Sequence, residues 1–188
     1  MNKTHKTAVV LIPPQEIWPP IQAIRRLHDR QYRRWMPHIT LIYPFWPRAA
    51  FDHTVPGLQH ACQRVAPFEL TLSELGYFSH GRGHYTLWLA PEPRQPVVAL
   101  QETLWQVVPE CNEVRRFAQG FTPHLSIGQV VGRGQAEALR ERLHHHWQPP
   151  SFWAREVSLI WRDDPPEDVF RVDRHLALAR AGTAAAKS

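Results

Sequence analysis

The chain has 188 residues, 43% hydrophobic and 21% charged, with a formal net charge of +5. That length suits one domain, or one domain with two lobes, and the balance excludes a disordered polymer. It can bury a core without disulfides or metals. All but three of the 22 basic residues are arginine (the lysines are Lys3, Lys6 and Lys187). Arginine forks onto phosphate and stacks on rings, so this bias reads as an anionic ligand such as a phosphate or nucleic acid, or as codon usage alone. Cys62 and Cys111 are the only cysteines, both expected inside helices, which is a reduced, intracellular pattern with no zinc-ribbon spacing. The apolar run 8–12 is too short for a secretory segment, and no run approaches a membrane span. The expectation is a soluble cytoplasmic protein with no membrane and no obligate protein partner.

Proline and glycine mark the joints. Residues 8–12 form a continuous apolar run, hence a buried strand, stopped by Pro13 and Pro14. Ile17, Ile21, Ile24 and Leu27 give helical spacing over 15–31, with the regular helix starting near Pro20. Residues 38–45 read as a strand limited by Pro44 and Pro47, and 55–65 as a helix. Residues 68–78 alternate, Gly81-Arg82-Gly83 turns, and 85–90 returns, which makes a hairpin. Residues 91–96 are expected as a loop and 97–108 as a helix on Val97, Leu100, Leu104 and Val108. Then follow a strand over 124–131, a turn over 132–134 and a helix over 135–147. One strand over 152–161, a polar turn over 163–168 and a last strand over 170–178 complete the order. Residues 1–180 are read as one domain of two similar lobes, and 181–188 as a frayed tail.

The similarity of the halves carries the functional argument. His38-Ile39-Thr40-Leu41-Ile42, a helix and the strand over 68–78 match His124-Leu125-Ser126-Ile127-Gly128, a helix and the strand over 152–162. In a strand, residues i and i+2 share a face. His38 and Thr40 therefore point one way, and so do His124 and Ser126, while Ile39, Leu41, Leu125 and Ile127 point into a core. If the lobes pack with pseudo-twofold symmetry, two imidazoles and two hydroxyls line one cleft. One neutral imidazole accepts a proton while the other, protonated, donates one. Thr40 and Ser126 can hold non-bridging phosphate oxygens. This is an acid–base pair for phosphodiester chemistry that requires no metal.

Two such motifs, each after a proline and opening an apolar strand, resemble the hallmark of the 2H phosphoesterases, within them the bacterial 2′-5′ RNA ligase-like proteins. Residues 36–45 resemble the first motif and 121–128 the second, with Ser126 where threonine is commoner; residues 85–93 between them also resemble the family. The resemblance spans roughly residues 8–179. It implies an α+β fold, with two antiparallel-sheet lobes around a central cleft and helices outside. It implies action on 2′,3′-cyclic phosphates or RNA-type phosphodiesters, by hydrolysis or by reversible ligation, with no cofactor and no metal. Partners would be RNA ends or cyclic nucleotides. A non-catalytic RNA-binding domain and a metal-dependent hydrolase are the competing readings.

Secondary expectations concern flanking residues. Arg25, Arg26, Arg30, Arg33 and Arg34 form either an RNA-facing edge or a solvated helix face. Phe78, His80, Arg82 and Tyr85 flank the hairpin turn, and Trp161-Arg162 end the equivalent strand. The aromatics can stack a base and Arg162 can lie near phosphate, with core packing the other reading for Trp161. His144-His145-His146 splay around a helix end, unlike a metal site.

Overall fold

A computed structural model describes residues 2–113 and 120–180. The expected tail, 181–188, lies outside the described residues. In chain order the elements are β1 (Thr7–Leu11), α1 (Trp18–His28), β2 (Ile39–Ile42), α2 (Phe51–Cys62), β3 (Phe68–Ser79) and β4 (His84–Glu92). They continue with α3 (Arg94–Trp105), β5 (Leu125–Val131), α4 (Arg133–His146), β6 (Ser151–Ala154), β7 (Glu156–Trp161) and β8 (Arg171–Ala177). The fold is α+β. Two antiparallel four-stranded sheets have the orders β2-β1-β7-β8 (the first sheet) and β5-β4-β3-β6 (the second sheet). Each motif strand, β2 or β5, lies at the edge of its sheet and pairs with the strand that precedes it across a helix. No helix among the described residues is long and apolar enough to cross a membrane.

The pattern of burial explains the strands. All of β1 is buried, because both of its faces are covered. Val9 and Leu11 join the main core, while Ala8 and Val10 join a second cluster with Ile160 and Phe170. A strand covered on both sides reads as a continuous apolar run. The main core is contiguous across both sheets, with Leu41 and Leu159 from one, Leu72, Leu89 and Leu125 from the other, and Leu100 from α3. Pro19 and Pro20 fall in the first turn of α1, where a missing N–H breaks no helical bond.

Three expectations are corrected. The strand expected over 152–161 is two strands in different sheets: β6 pairs with β3, and β7 pairs with β1. Phe152 and Ala154 are buried, then Val157 and Leu159, so the alternation slips by one residue at Arg155, where the chain changes sheet. The loop expected over 91–96 is largely absent. Pro91 belongs to β4, and Pro96 sits in the first turn of α3, a position proline tolerates. Cys111 is buried but not helical: α3 ends at Trp105, and Pro109 cannot extend it.

The helix α1, which joins β1 to β2 in the first sheet, packs its last turn on β5 of the second. At Gly128 a Cβ atom would sit 2.7 Å from His28 Cβ and 3.1 Å from the His28 carbonyl oxygen. Neither atom lies at the free end of a flexible side chain, so α1 itself would have to move. Gly128→Ala is expected to lower stability by about 1–3 kcal/mol, as overpacking does, read as a lower urea midpoint at unchanged slope.

Candidate active site

The first motif enters β2 with Ile39 and Leu41 fully buried in the main core and Thr40 on the opposite, partly open face. His38 shares that open face. Its Nδ1 lies 2.7 Å from the carbonyl oxygen of Met36. A carbonyl only accepts, so Nδ1 carries the proton and donates, leaving the Nε2 lone pair free. The second motif repeats the device. Leu125 and Ile127 are buried, Ser126 faces the open side, and His124 Nδ1 donates to the Thr122 carbonyl at 2.8 Å. Both rings are thus held by a carbonyl two residues back, with Nε2 left available.

Burial dominates the electrostatics of both rings. Burial pushes His38 down to about 4 from an ordinary 6.5; the bond to Met36 opposes this, and the charges of Arg25 and His124 reinforce it. Burial also lowers His124, opposed by the bond to Thr122 and aided by His80. Each imidazole is therefore neutral near pH 7 in the free protein.

Aromatic rings form the walls. The Trp35 indole stacks on His38, with centroids 4.6 Å apart and planes 17° apart. Trp35 also stacks on Phe170 at 3.7 Å and meets the edge of Tyr43 at 5.5 Å. The Arg162 guanidinium lies 5.6 Å over Phe170, which extends the row His38, Trp35, Phe170 by one cation. Burial raises the Tyr43 hydroxyl, and the charges of Arg162 and Arg34 oppose that. On the other side Phe78 meets His124 edge-on at 4.9 Å, and Trp88 lies 6.3 Å from it. The Trp88 ring lies directly over Gly76, where a Cβ would come within 2.3 Å of the indole. Two donors in these walls, Arg162 Nε and Trp88 Nε1, are buried without a hydrogen-bond partner. His80 Nε2 and Thr86 Oγ1 are 2.9 Å apart at the rim.

The structure therefore places Thr40 on the face of His38, Ser126 on the face of His124 with Phe78 against that ring, and Arg162 at the end of the aromatic row that begins at His38. It does not bring Tyr85 or Trp161 to them. Tyr85 points opposite to Thr86, packing on Tyr77 at 5.4 Å and on the main core. Trp161 points opposite to Ile160 and Arg162 and lies under the Arg48 guanidinium at 3.7 Å. Of the arginine run, Arg25 is buried, Arg34 is paired with Asp168, and Arg26, Arg30 and Arg33 are exposed. His144–His146 are exposed at the end of α4. Sequence reasoning missed Trp35, Tyr43 and Trp88. The signal for Trp88 was present: a glycine inside a strand marks a close approach, and Gly76 is its hairpin partner. Among the described residues, no three His, Cys, Asp or Glu side chains converge as metal ligands. A hollow of about 340 Å³ lined by Lys3, Trp46, His53 and Glu110 involves none of these residues.

A buried ion pair supports the first motif and ties it to the second. Arg25 Nε donates to Asp29 Oδ2 at 2.8 Å, with both side chains 2% exposed. The same guanidinium donates to the Trp35 carbonyl at 2.9 Å and to Gln22 at 3.0 Å. The other Asp29 oxygen accepts from the Gln31 amide at 2.8 Å and from Gln129 of β5 at 3.1 Å. The Arg30 amide returns a bond to Gln129 at 2.9 Å.

Comparison with known proteins gives the family and the fold. A family model described as the 2′-5′ RNA ligase superfamily matches residues 13–166, so the chain belongs to that superfamily, whose members are 2H phosphoesterases. A Bacillus cytotoxicus protein named as a phosphoesterase is 25% identical over 139 residues, 73% of this chain and 77% of its own. A Bacillus cereus protein of the same description is 26% identical over 139 residues, again 73% of this chain and 77% of its own. Among solved structures, E. coli LigT complexed with 3′-AMP matches with a TM-score of 0.60 and 17% identity, over 94% of this chain and 99% of that one. The Thermus thermophilus protein TT0787 matches with a TM-score of 0.59 and 19% identity, over 92% and 97% of the two chains.

Two outcomes are expected. Because His38 and His124 are lowered, the unfolded chain binds more protons than the folded one between about pH 6.5 and 4. Stability is then full above that window and falls as pH drops through it, and His38→Asn should flatten the fall in a series of urea midpoints. Arg25→Met leaves Asp29 buried without its cation and should cost about 3–5 kcal/mol, measured the same way at pH 7.

Proposed function

We propose that this chain is a 2′,3′-cyclic phosphodiesterase acting on nucleotides or RNA ends. The observation that carries the reading is the twinned histidine: each Nδ1–H is spent on a backbone carbonyl, and each ring has a hydroxyl on its own strand face. A group so held presents one nitrogen for proton transfer in a fixed orientation. In hydrolysis, one Nε2 takes a proton from water as its oxygen attacks phosphorus. The other, as imidazolium, gives its Nε2 proton to the departing ribose oxygen. The P–O bond to that oxygen breaks, and a phosphate monoester remains on the neighbouring ribose oxygen.

Thr40 and Ser126 hydroxyls donate to the non-bridging oxygens, where charge builds in the transition state. Both histidines are neutral in the free protein, so the acid must gain its proton as substrate binds. An anionic phosphate between two desolvated imidazoles favours that, because a nearby opposite charge raises the affinity for a proton. The pair then shares one proton, and its titration belongs to both rings together. The solved LigT complexes with 3′-AMP and with ATP support a nucleotide as ligand for this fold.

The test is release of monophosphate from 2′,3′-cyclic nucleotides in the presence of excess EDTA. Wild type is expected to turn over, with a bell-shaped dependence of kcat/KM on pH. His38→Ala and His124→Ala are each expected to lose about 10²–10⁴-fold in kcat. Full turnover in both variants would overturn the mechanism. Retained nucleotide binding with no turnover in wild type would make the chain a binding domain instead.

A further inference from the structure

We propose that the histidine-bearing face of the first sheet holds a base of the substrate, a guanine, with Glu156 as the residue that reads it. This rests on the phosphodiesterase reading for the position of the phosphate. Val10 pairs with Ser158, and Ser158 pairs with His175, so the three share one sheet face. The same face carries the Ile160–Phe170 cluster, on which Trp35 and Met36 pack. Glu156, two residues before Ser158 on β7, continues it, and Ile12, just past the end of β1, packs against the same cluster.

A hollow of about 250 Å³ opens at that end, lined by Ile12, Gln15, Trp18, Met36, Glu156 and His175. It is smaller than the roughly 300–1,000 Å³ of sites for drug-sized ligands, and so suits one base rather than a whole nucleotide. Met36 joins the hollow to the catalytic centre, because it lines one and its carbonyl holds His38 of the other. The strand carrying Glu156 is two places from β2 in the sheet. At the usual strand spacing that is about 10 Å, comparable to the reach of one nucleoside.

The chemistry of the lining selects the base. Trp18 is fixed by its Nε1–H, which donates to the Pro13 carbonyl at 2.8 Å, so its ring is a preset wall. His175 Nδ1 lies 2.9 Å from Glu156 Oε1 and 3.0 Å from Ser158 Oγ, so the carboxylate borders an imidazole. An ionised carboxylate offers about four acceptor sites, so Glu156 keeps the capacity for two more donors. Guanine is the base that presents two adjacent donors, its ring N1–H and its 2-amino group. Adenine and cytosine place an acceptor beside their amino group, and uracil flanks its N–H with two carbonyls. A carboxylate repels those acceptors.

The experiment combines calorimetric binding of 3′-GMP, 3′-AMP, 3′-CMP and 3′-UMP with initial rates on the four 2′,3′-cyclic nucleotides. Both are measured for wild type and Glu156→Ala, a half-exposed position whose loss leaves the core intact. Wild type is expected to favour guanine by at least about tenfold in affinity and in kcat/KM. Glu156→Ala should bring guanine level with the others, by a loss for guanine and no loss for the other three. Equal binding of all four nucleotides to wild type would overturn the proposal, as would a loss in Glu156→Ala shared equally by every base. Turnover without base discrimination sinks the subsite alone. Guanine-selective binding without turnover of any substrate sinks the phosphodiesterase reading and leaves the subsite standing.

Discussion

The Arg25–Asp29 ion pair is the constraint on which the geometry of both motifs depends. Its two charges lie inside the protein, where desolvation is expensive and only good partners offset it. Each partner also makes a bond toward a different lobe. The guanidinium holds the Trp35 carbonyl, and Trp35 is packed flat on His38. The carboxylate holds Gln129, three residues beyond Ser126 on β5. One pair therefore relates the imidazole of the first motif to the strand of the second. The contact of His28 with Gly128 sets the same spacing sterically. The two motif strands are thereby held to one another through α1 and the turn that follows it.

The two histidine settings are alike in backbone and unlike in neighbours. Both donate Nδ1–H to a carbonyl two residues back, a consequence of how each ring leads into its strand. His38, however, lies against an indole face and near the Arg25 cation, whereas His124 meets a phenyl edge. Nearly identical sequence motifs thus sit in electrostatically distinct walls. Burial nonetheless lowers both imidazoles.

Much of this was legible in the chain, and what was not has physical causes. The alternation Ile39-Thr40-Leu41 and Leu125-Ser126-Ile127 declares which side is core, because a strand has a period of two. The same rule places Phe78 with the histidine face and Tyr85 away from it, once the hairpin register is known; next to the turn that register runs unbroken from Glu74 to Ser79. The change of sheet at Arg155 was written as a one-residue slip in the apolar alternation, easily read as a single bent strand. Arg25 was not legible as a buried residue. It sits among exposed arginines, and only Gln22 one turn back on α1, with Asp29 and Trp35 beyond the helix, makes its burial tolerable. Trp35 was equally hidden, because stacking across a loop leaves no periodic trace.

The switch of the chain between sheets at Arg155 also governs when the protein can assemble. The first sheet has β1 at its interior, and one neighbour of β1 is β7, near the far end of the chain. On the ribosome, β1 emerges first and then waits for Trp161, 150 residues after Leu11. At about 5–20 residues per second that is roughly 8–30 s with one side of β1 unpaired. The second sheet lacks only the short β6 by the time α4 is made. The lobe carrying His124 can therefore form around β3, β4 and β5 while the lobe carrying His38 is still incomplete, and the first lobe closes last, against a template already folded.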